Sequence, residues 1–540
     1  MADQPTPRII PADAAAGAKP NFERPEYVAG KPARRLSRAM MAGSKGIREM
    51  GEEAMPKWPG EDPGFYKVRA SIARVARYYQ RTVHALVGMV VGTPPTLADE
   101  AAPILLDDAE DIDGQGTHFE VFATRTTLES AVGGFSAILV DAPPVPLGLV
   151  LTLADEQALG LRPYWALIQS EQLINWTVEA PDWLMLLVQW SQGRLTAEQV
   201  RRVARQLVLR QVVIHEPCDV PDGEFGVRTA NRYRVLSLDE NGVRFVLWEQ
   251  RKAEGSAGEH FAVIAEGPML GGKRQPLKAI PLAIAYSQVP SAPLVCEPVA
   301  QPVAELNLDH YQLTAERRYL LRITHAPTLG LFGFDDETDA DGNVKPVKVG
   351  PNAVLKSRNP EARAAWISAE AGALSESREE RDDVVEQIAA IGASFLGRDR
   401  QRGTETARGR ALDMAAEYQM HKVLGRGVQD ALEAAWGFHA LHRNVEPPSV
   451  EMHTVQIAPE VNAQVAQLLW DAVLSERLDM EEWLTYLRTG QVPQSHERAA
   501  AELLAAAEAK RKADEERKRL TTDPNVDPTD PTSDNRRQVA

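Results

Sequence analysis

Two stretches, VAELNLDHYQLTAERRYLLRITHAPTLGLFG (Val303–Gly333) and ESREERDDVVEQIAAIGASFLG (Glu376–Gly397), decide how this chain is read. In the first, Val303, Leu306, Leu313 and Leu320 keep helical spacing, His310 sits in an apolar slot, and Pro327 stops the run. The second belongs to a helix predicted over Ser368–Leu396. From Glu370 to Glu386 it carries seven acidic residues against two basic ones, Arg378 and Arg381. Thr328–Trp366, between them, has short apolar pieces, an Asp-rich loop and several Gly and Pro, which predicts a small β-rich insert. A Gly/Arg-rich break, GRDRQRGTETARG (Gly397–Gly409), follows. A long helix over Ala411–His442 comes next, with Leu412, Ala416, Met420, Val423, Leu424, Val428 and Leu432 on one face.

Upstream, Gly64–Gly92 reads as one helix with Ile72, Val75, Tyr79, Val83, Leu86 and Val90 on a face, ended by Gly92 and Pro94-Pro95. A second helix is expected over Phe119–Val132. FSAILVD (Phe135–Asp141) reads as a buried strand. Further strands are expected at Tyr164–Ile168, Gln211–His215, Tyr233–Leu236, Val243–Trp248 and Ala279–Tyr286, with Asn241-Gly242 marking a hairpin. Residues 1–60 are expected to be an arm with one short helix near Ala33–Glu49. Downstream, a strand at Ser449–Ile457 and helices at Val461–Leu474, Met480–Leu487 and His496–Leu520 precede a Pro/Asp/Thr-rich tail that reads as disordered. The fold class is α+β.

Composition narrows the function. The chain has 540 residues, 44% of them hydrophobic, enough for two to four domains and a sizeable core. The net charge of −16 argues against a surface that clamps a nucleic-acid backbone throughout. Two cysteines, Cys218 and Cys296, exclude a disulfide framework and Cys-rich metal modules, and fit a reducing compartment. No window of 18 apolar residues occurs, and the polar N-terminus has no signal-like apolar core, so no membrane association is expected.

No catalytic constellation emerges. GPMLGGKR (Gly267–Arg274) matches a phosphate loop in outline, but Arg274 replaces the Mg²⁺-holding hydroxyl and a strand follows where a helix is needed. Ser136 in GFSAI precedes its strand core, unlike a nucleophile elbow. The cluster Asp335, Asp336, Glu337, Asp339, Asp341 offers oxygen ligands, but the EF-hand register places Lys348 where a bidentate Glu belongs. His439 and His442 are three apart with no further ligand nearby, and His310 reads as a satisfied core histidine. No metal and no cofactor are expected. The arginines 398, 400, 402, 408 and 410, against Asp399 and Glu405, give residues 398–410 a net +3, suited to touching phosphates without reading bases.

The order of elements resembles the portal proteins of tailed bacteriophages and their prophages, over roughly residues 65–500. The segment YYQRTVHALVGMVVGTPPT (Tyr78–Thr96) resembles the portal N-terminal helix with its VG-x-x-x-G-x-P-P ending, and FSAILVD and IPLAIAYSQ resemble the wing strands. The two opening stretches resemble the descending and returning stem helices, and GRDRQRGTETARGRALDMA sits where portals carry a tunnel loop. The resemblance implies a division into arm (1–60), wing (61–297), stem helix (298–326), clip insert (327–367) and returning stem helix (368–396). A tunnel loop (397–410), a long helix and wing return (411–490), a crown helix (491–520) and the tail (521–540) complete it. It implies a non-enzymatic ring of about twelve subunits at one capsid vertex of the virion, assembled in the host cytoplasm, through which double-stranded DNA is packaged and ejected. It implies contacts with the terminase large subunit, which hydrolyses the ATP, and with major capsid, scaffold and head-completion proteins. Arg398, Arg400, Gln401, Arg402 and Arg408 would touch DNA. Glu376, Glu379, Glu380, Asp383 and Glu386 would form an acidic channel wall, and Asp335, Asp336, Asp339 and Asp341 would dock the motor. A head–tail adaptor or minor head structural protein is the alternative reading, and a hydrolase built on the Asp335–Asp341 cluster is a further rival.

Overall fold

A computed structural model describes residues 8–11, 14–98, 100–143, 161–179, 191–192, 208–252, 259–325, 328–334, 357, 359–367, 371–392, 407–452, 469–470, 473 and 480. The chain divides into Met1–Val455 and Gln456–Ala540. Nearly all the described residues belong to the first unit.

That unit is α+β. The larger sheet is antiparallel and six-stranded. Its strands are β1 (Ile9–Ile10), β5 (Leu173–Glu179), β6 (Val208–Asp222), β7 (Gly226–Asp239), β8 (Gly242–Lys252) and β9 (Glu259–Pro268), in the order β1-β9-β8-β7-β6-β5. Its buried face holds Leu173, Trp176, Val212, Ile214, Leu236, Val243 and Phe261. The smaller sheet places β3 (Phe135–Asp141) between β10 (Leu282–Tyr286) and β4 (Tyr164–Gln169). As a central strand β3 is buried along nearly its whole length, which explains its unbroken apolar run.

Helices α1 (Pro25–Ala42), α2 (Ser44–Glu49), α3 (Pro63–Ile72), α4 (Tyr78–Val91), α5 (Pro103–Ala109) and α6 (Phe119–Gly133) precede and flank the sheets. Three longer helices follow: α7 (Gln301–His325), α8 (Ala371–Gly392) and α9 (Ala407–Arg443). Between α7 and α8, β11 (Thr328–Phe332) pairs antiparallel with β12 (Arg363–Ile367), the expected β insert. Short strands β2 (Thr96–Leu97) and β13 (Val450–Glu451) pair with each other. Helix α9 lies on β10, β3, α4 and α6. Gly427 lets it approach, since a Cβ there would sit 2.3 Å from the Tyr286 carbonyl oxygen. Gly134 turns the chain from α6 into β3 at φ +84°, and a Cβ would meet the Cys296 carbonyl at 2.1 Å. Only glycine satisfies both demands.

Three sequence expectations change. The N-terminal arm is folded from Pro25 onward: Leu36, Met40 and Ile47 are buried in α1 and α2, and α1 packs on α4, α6 and α7. Alternation with Arg34, Arg35 and Arg38 hides this helix face in the sequence; Arg38 is not free but pairs with Glu129 and Glu171. The single helix expected over Gly64–Gly92 is two. Ala73 is extended (φ −66°, ψ 144°), Arg48 donates to the carbonyls of Ser71 and Ala73, and Asn307 Oδ1 accepts the Tyr79 N–H at 3.1 Å. Side chains remote in sequence satisfy the orphan groups of both new helix ends, which makes the break affordable. Finally, the hairpin expected at Asn241-Gly242 is present between β7 and β8, but its turn sits one residue earlier, at Glu240-Asn241, with Gly242 already paired with Asp239 at φ +117°.

Candidate functional site

The α7–α8 pair is where the charge pattern of the sequence acquires geometry. Helix α8 is about 33 Å long at 1.5 Å per residue. Glu376, Glu379, Glu380, Asp383 and Glu386 are all exposed. At 3.6 residues per turn they fall within an arc of about 120° and run along about 15 Å of the helix. The two nearby arginines do not neutralise the stripe: Arg378 Nε (3.6 Å) and Arg381 Nη2 (2.7 Å) both turn to Asp382, which lies off it. No ion pair joins any of the five stripe residues to another described residue. On the far side of the helix, Ile388 is buried, and α8 packs on α7 and touches α4.

The inner side of α7 is polar too. Asn307, His310, Thr314 and Arg317 share one face, and Asn307 Nδ2, His310 Nδ1, Thr314 Oγ1 and Arg317 Nε are buried without hydrogen-bond partners among the described residues. His310, expected to be a satisfied core histidine, packs edge-on against Tyr78 at 5.4 Å but leaves Nδ1 unmatched. Burial, aided by the Arg381 charge, lowers its pKa and keeps the ring neutral. Toward its C-terminal half α7 leaves the core: after Ala315 every described side chain is half-buried or exposed.

A second charged cluster is of the opposite kind. Asp108 on α5 is 4% exposed. It accepts hydrogen bonds from Arg443 Nε and Nη2, both at 2.6 Å, and from His439 Nε2 at 2.8 Å, and Arg162 lies 3.9 Å away. Burial would raise the Asp108 pKa, but the His439 and Arg443 bonds outweigh it and hold the carboxyl at about 2. Burial lowers the pKa of His439, and Asp108 offsets only part of that. Burial pushes His442 down to about 4. Trp165 and Trp436 pack on His439, with Phe119 against both tryptophans. An Asp–His pair invites comparison with a catalytic dyad, but no described Ser, Thr or Cys bonds to His439, and the ring is fully buried. The cluster ties α5 to the last turn of α9. A second buried charged group, Arg69 with Glu61 (2.7 Å), is stacked under Trp58 and fixes the loop before α3.

Arg398, Arg400, Gln401 and Arg402 lie outside the described residues, as do Asp335, Asp336, Asp339 and Asp341. Arg408 is not in a loop: α9 starts at Ala407, a few residues before the expected Ala411, because Ala407, Arg408, Arg410 and Ala411 are strong helix formers. Among the described residues no group of His, Cys, Asp and Glu could hold a metal ion, and no helix is long and apolar enough to cross a membrane. Sequence reading missed Asp108, because its partners lie more than 330 positions away.

Residues 301–442 match the family described as "Domain of unknown function (DUF4055)". No curated protein matches the chain. Among solved structures, a chain of "Neck of empty GTA particle computed with C6 symmetry" is similar at TM-score 0.36 and 11% identity, covering 78% of this chain and 91% of that one. A chain of "Neck of native GTA particle computed with C12 symmetry" is similar at TM-score 0.33 and 10% identity, covering 76% and 89%.

Proposed function

We propose that the chain is a portal, or connector, subunit that closes with about eleven copies of itself into a ring around double-stranded DNA at one vertex of a phage-like capsid. The observation that carries this reading is the α8 stripe. Five exposed carboxylates, unpaired among the described residues, sit on a helix hairpin whose other side is packed, so the stripe is available to a lumen. A wall that lets a polyanion slide should repel it and offer no fixed contacts. The Gly/Arg-rich segment after α8 would add a weak grip on phosphates, multiplied by the ring. On this reading the α7–α8 pair is the stem, the β11–β12 ribbon begins the clip where a terminase motor docks, and the chain itself performs no catalysis.

Charge reversal on the stripe tests the proposal. Glu379→Lys, Asp383→Lys and Glu386→Lys together change exposed residues only, so the ring should assemble. Lysines lining a lumen would hold passing phosphates, and DNA packaged per capsid should fall. Normal DNA content in intact rings would overturn the assignment of α8 to the channel.

A further inference from the structure

Strands β6 and β7 extend well past their sheet neighbours. β5 pairs with β6 only as far as Ile214, and β8 pairs with β7 only from Arg232 onward. The β6–β7 pairing nevertheless continues to Asp222 and Gly226. The distal part is therefore a bare two-stranded ribbon, exposed at every residue from Pro221 to Thr229. Such a ribbon is marginal alone in water. Its tip exposes two apolar side chains, Phe225 at 93% and Val227 at 68%, among the charged Asp222, Glu224 and Arg228. Two apolar side chains displayed at the end of a protruding ribbon bury little area within the subunit and are free to be covered by a partner.

The same chain carries a matching recess. Val178, Leu209, Leu282, Ile284, Tyr286, Pro290, Ala292, Pro293 and Leu294 line a groove of about 440 Å³. Every described lining residue is apolar or aromatic. Leu282, Ile284 and Tyr286 alternate along β10, so one face of that strand forms the floor. The volume suits a phenylalanine side chain with a β-branched neighbour. No described residue fills it.

Tip and groove lie at opposite ends of β6. Leu209 and Asp222 are thirteen residues apart on that strand, on the order of 40 Å at about 3.3 Å per residue. A chain cannot seat its own Phe225 in its own groove across that span. A knob at one end and a hole at the other is a head-to-tail contact, which closes into a ring when the rotation per copy permits. We propose that Phe225 and Val227 of one copy insert into the Leu282–Leu294 groove of the next copy of this chain. This rests on the ring reading above and supplies one of its interfaces.

Photo-cross-linking of the full-length chain tests the contact. p-Benzoylphenylalanine placed at position 225, in a mixture of ¹⁴N- and ¹⁵N-labelled copies, should give mixed-isotope cross-links to peptides holding residues 282–294, 178 or 209. The same probe at position 292 should reach residues 222–228 of a different copy. Cross-links from position 292 to residues 180–207 of its own copy would mean that this stretch fills the groove, and would overturn the proposal. Native mass spectrometry on the same samples separates the two claims. Rings without tip-to-groove cross-links overturn the contact and leave the ring reading standing. Absence of both rings and cross-links overturns both. Cross-linked pairs that never close support the contact and count against the ring. Phe225→Ser, exposed and hence harmless to the fold, should raise the concentration at which half the protein assembles by tenfold or more. An unchanged midpoint would contradict the proposal.

Discussion

The Asp108 cluster and the α8 stripe handle charge in opposite ways. Around Asp108, one carboxylate is buried, and each of its oxygens is met by His439 or Arg443. Along α8, five carboxylates face water and meet no cation among the described residues. A buried charge that lost its partners would cost far more than it gains in the pair, so such a cluster reports on architecture. An exposed charge left unpaired costs the fold little, so a run of like charges is free to be shaped by what lies outside the subunit. The contrast teaches which charges to read as scaffold and which as surface for a partner.

The scaffold side of the contrast carries the largest predicted effect. Asp108→Ala leaves the buried His439 and the half-buried Arg443 without their acceptor and should destabilise the fold by about 3–5 kcal/mol. Urea unfolding should show a lower midpoint with an unchanged slope. A loss below about 1 kcal/mol would mean that the cluster does not tie α5 to α9.

Acid sharpens the same comparison. His442 has a folded pKa of about 4 against an ordinary 6.5, so below pH 6.5 the unfolded chain takes up a proton that the fold refuses. Stability should fall as pH drops from about 6.5 to about 4, by at most on the order of 3 kcal/mol, with His439 adding in the same direction. His442→Gln should flatten that slope. Asp108 acts in a lower window: its stabilisation is present above 3.8 and is lost as pH falls through about 2. A stability profile flat between pH 6.5 and 4 would contradict the buried neutral histidines.

How much of this was legible in the sequence depended on distance along the chain. Local pattern gave β3, helices α6, α7, α8 and α9 and the β-rich character of the 328–366 insert, because each needs only its own residues to declare itself. The acidic stripe was visible for the same reason: positions 376, 379, 380, 383 and 386 share a helix face whatever the tertiary fold. The α3–α4 break was hidden, since it depends on Arg48 and Asn307 from elsewhere. Strands β5 and β9 were missed because Trp176 and Phe261 are buried only once the sheet exists. Phe225 and its ribbon look like an ordinary hairpin until the neighbouring strands are seen to stop short.

The surface side of the contrast predicts small effects on the fold and larger ones on the assembly. Neutralising the stripe with Glu376→Gln, Glu379→Gln, Glu380→Gln, Asp383→Asn and Glu386→Gln should move stability by no more than about 0.5 kcal/mol per site. The same variant should retain DNA more strongly, most visibly at low salt, because screening shortens the reach of the lost repulsion to about 8 Å at physiological ionic strength. Thermal melts and DNA retention in filter assays measure the two halves. Replacing Arg398, Arg400 and Arg402 with Ala should leave the ring intact and lower packaged DNA without regard to DNA sequence. Unchanged packaging would remove that segment from the channel.

The central claim, that this subunit works only as part of a closed ring, is tested most directly by native mass spectrometry of the purified full-length chain. A discrete assembly of about 12 or 13 copies, seen in negative stain as a ring with a central hole, is the result expected. A stable monomer at micromolar concentration would contradict it.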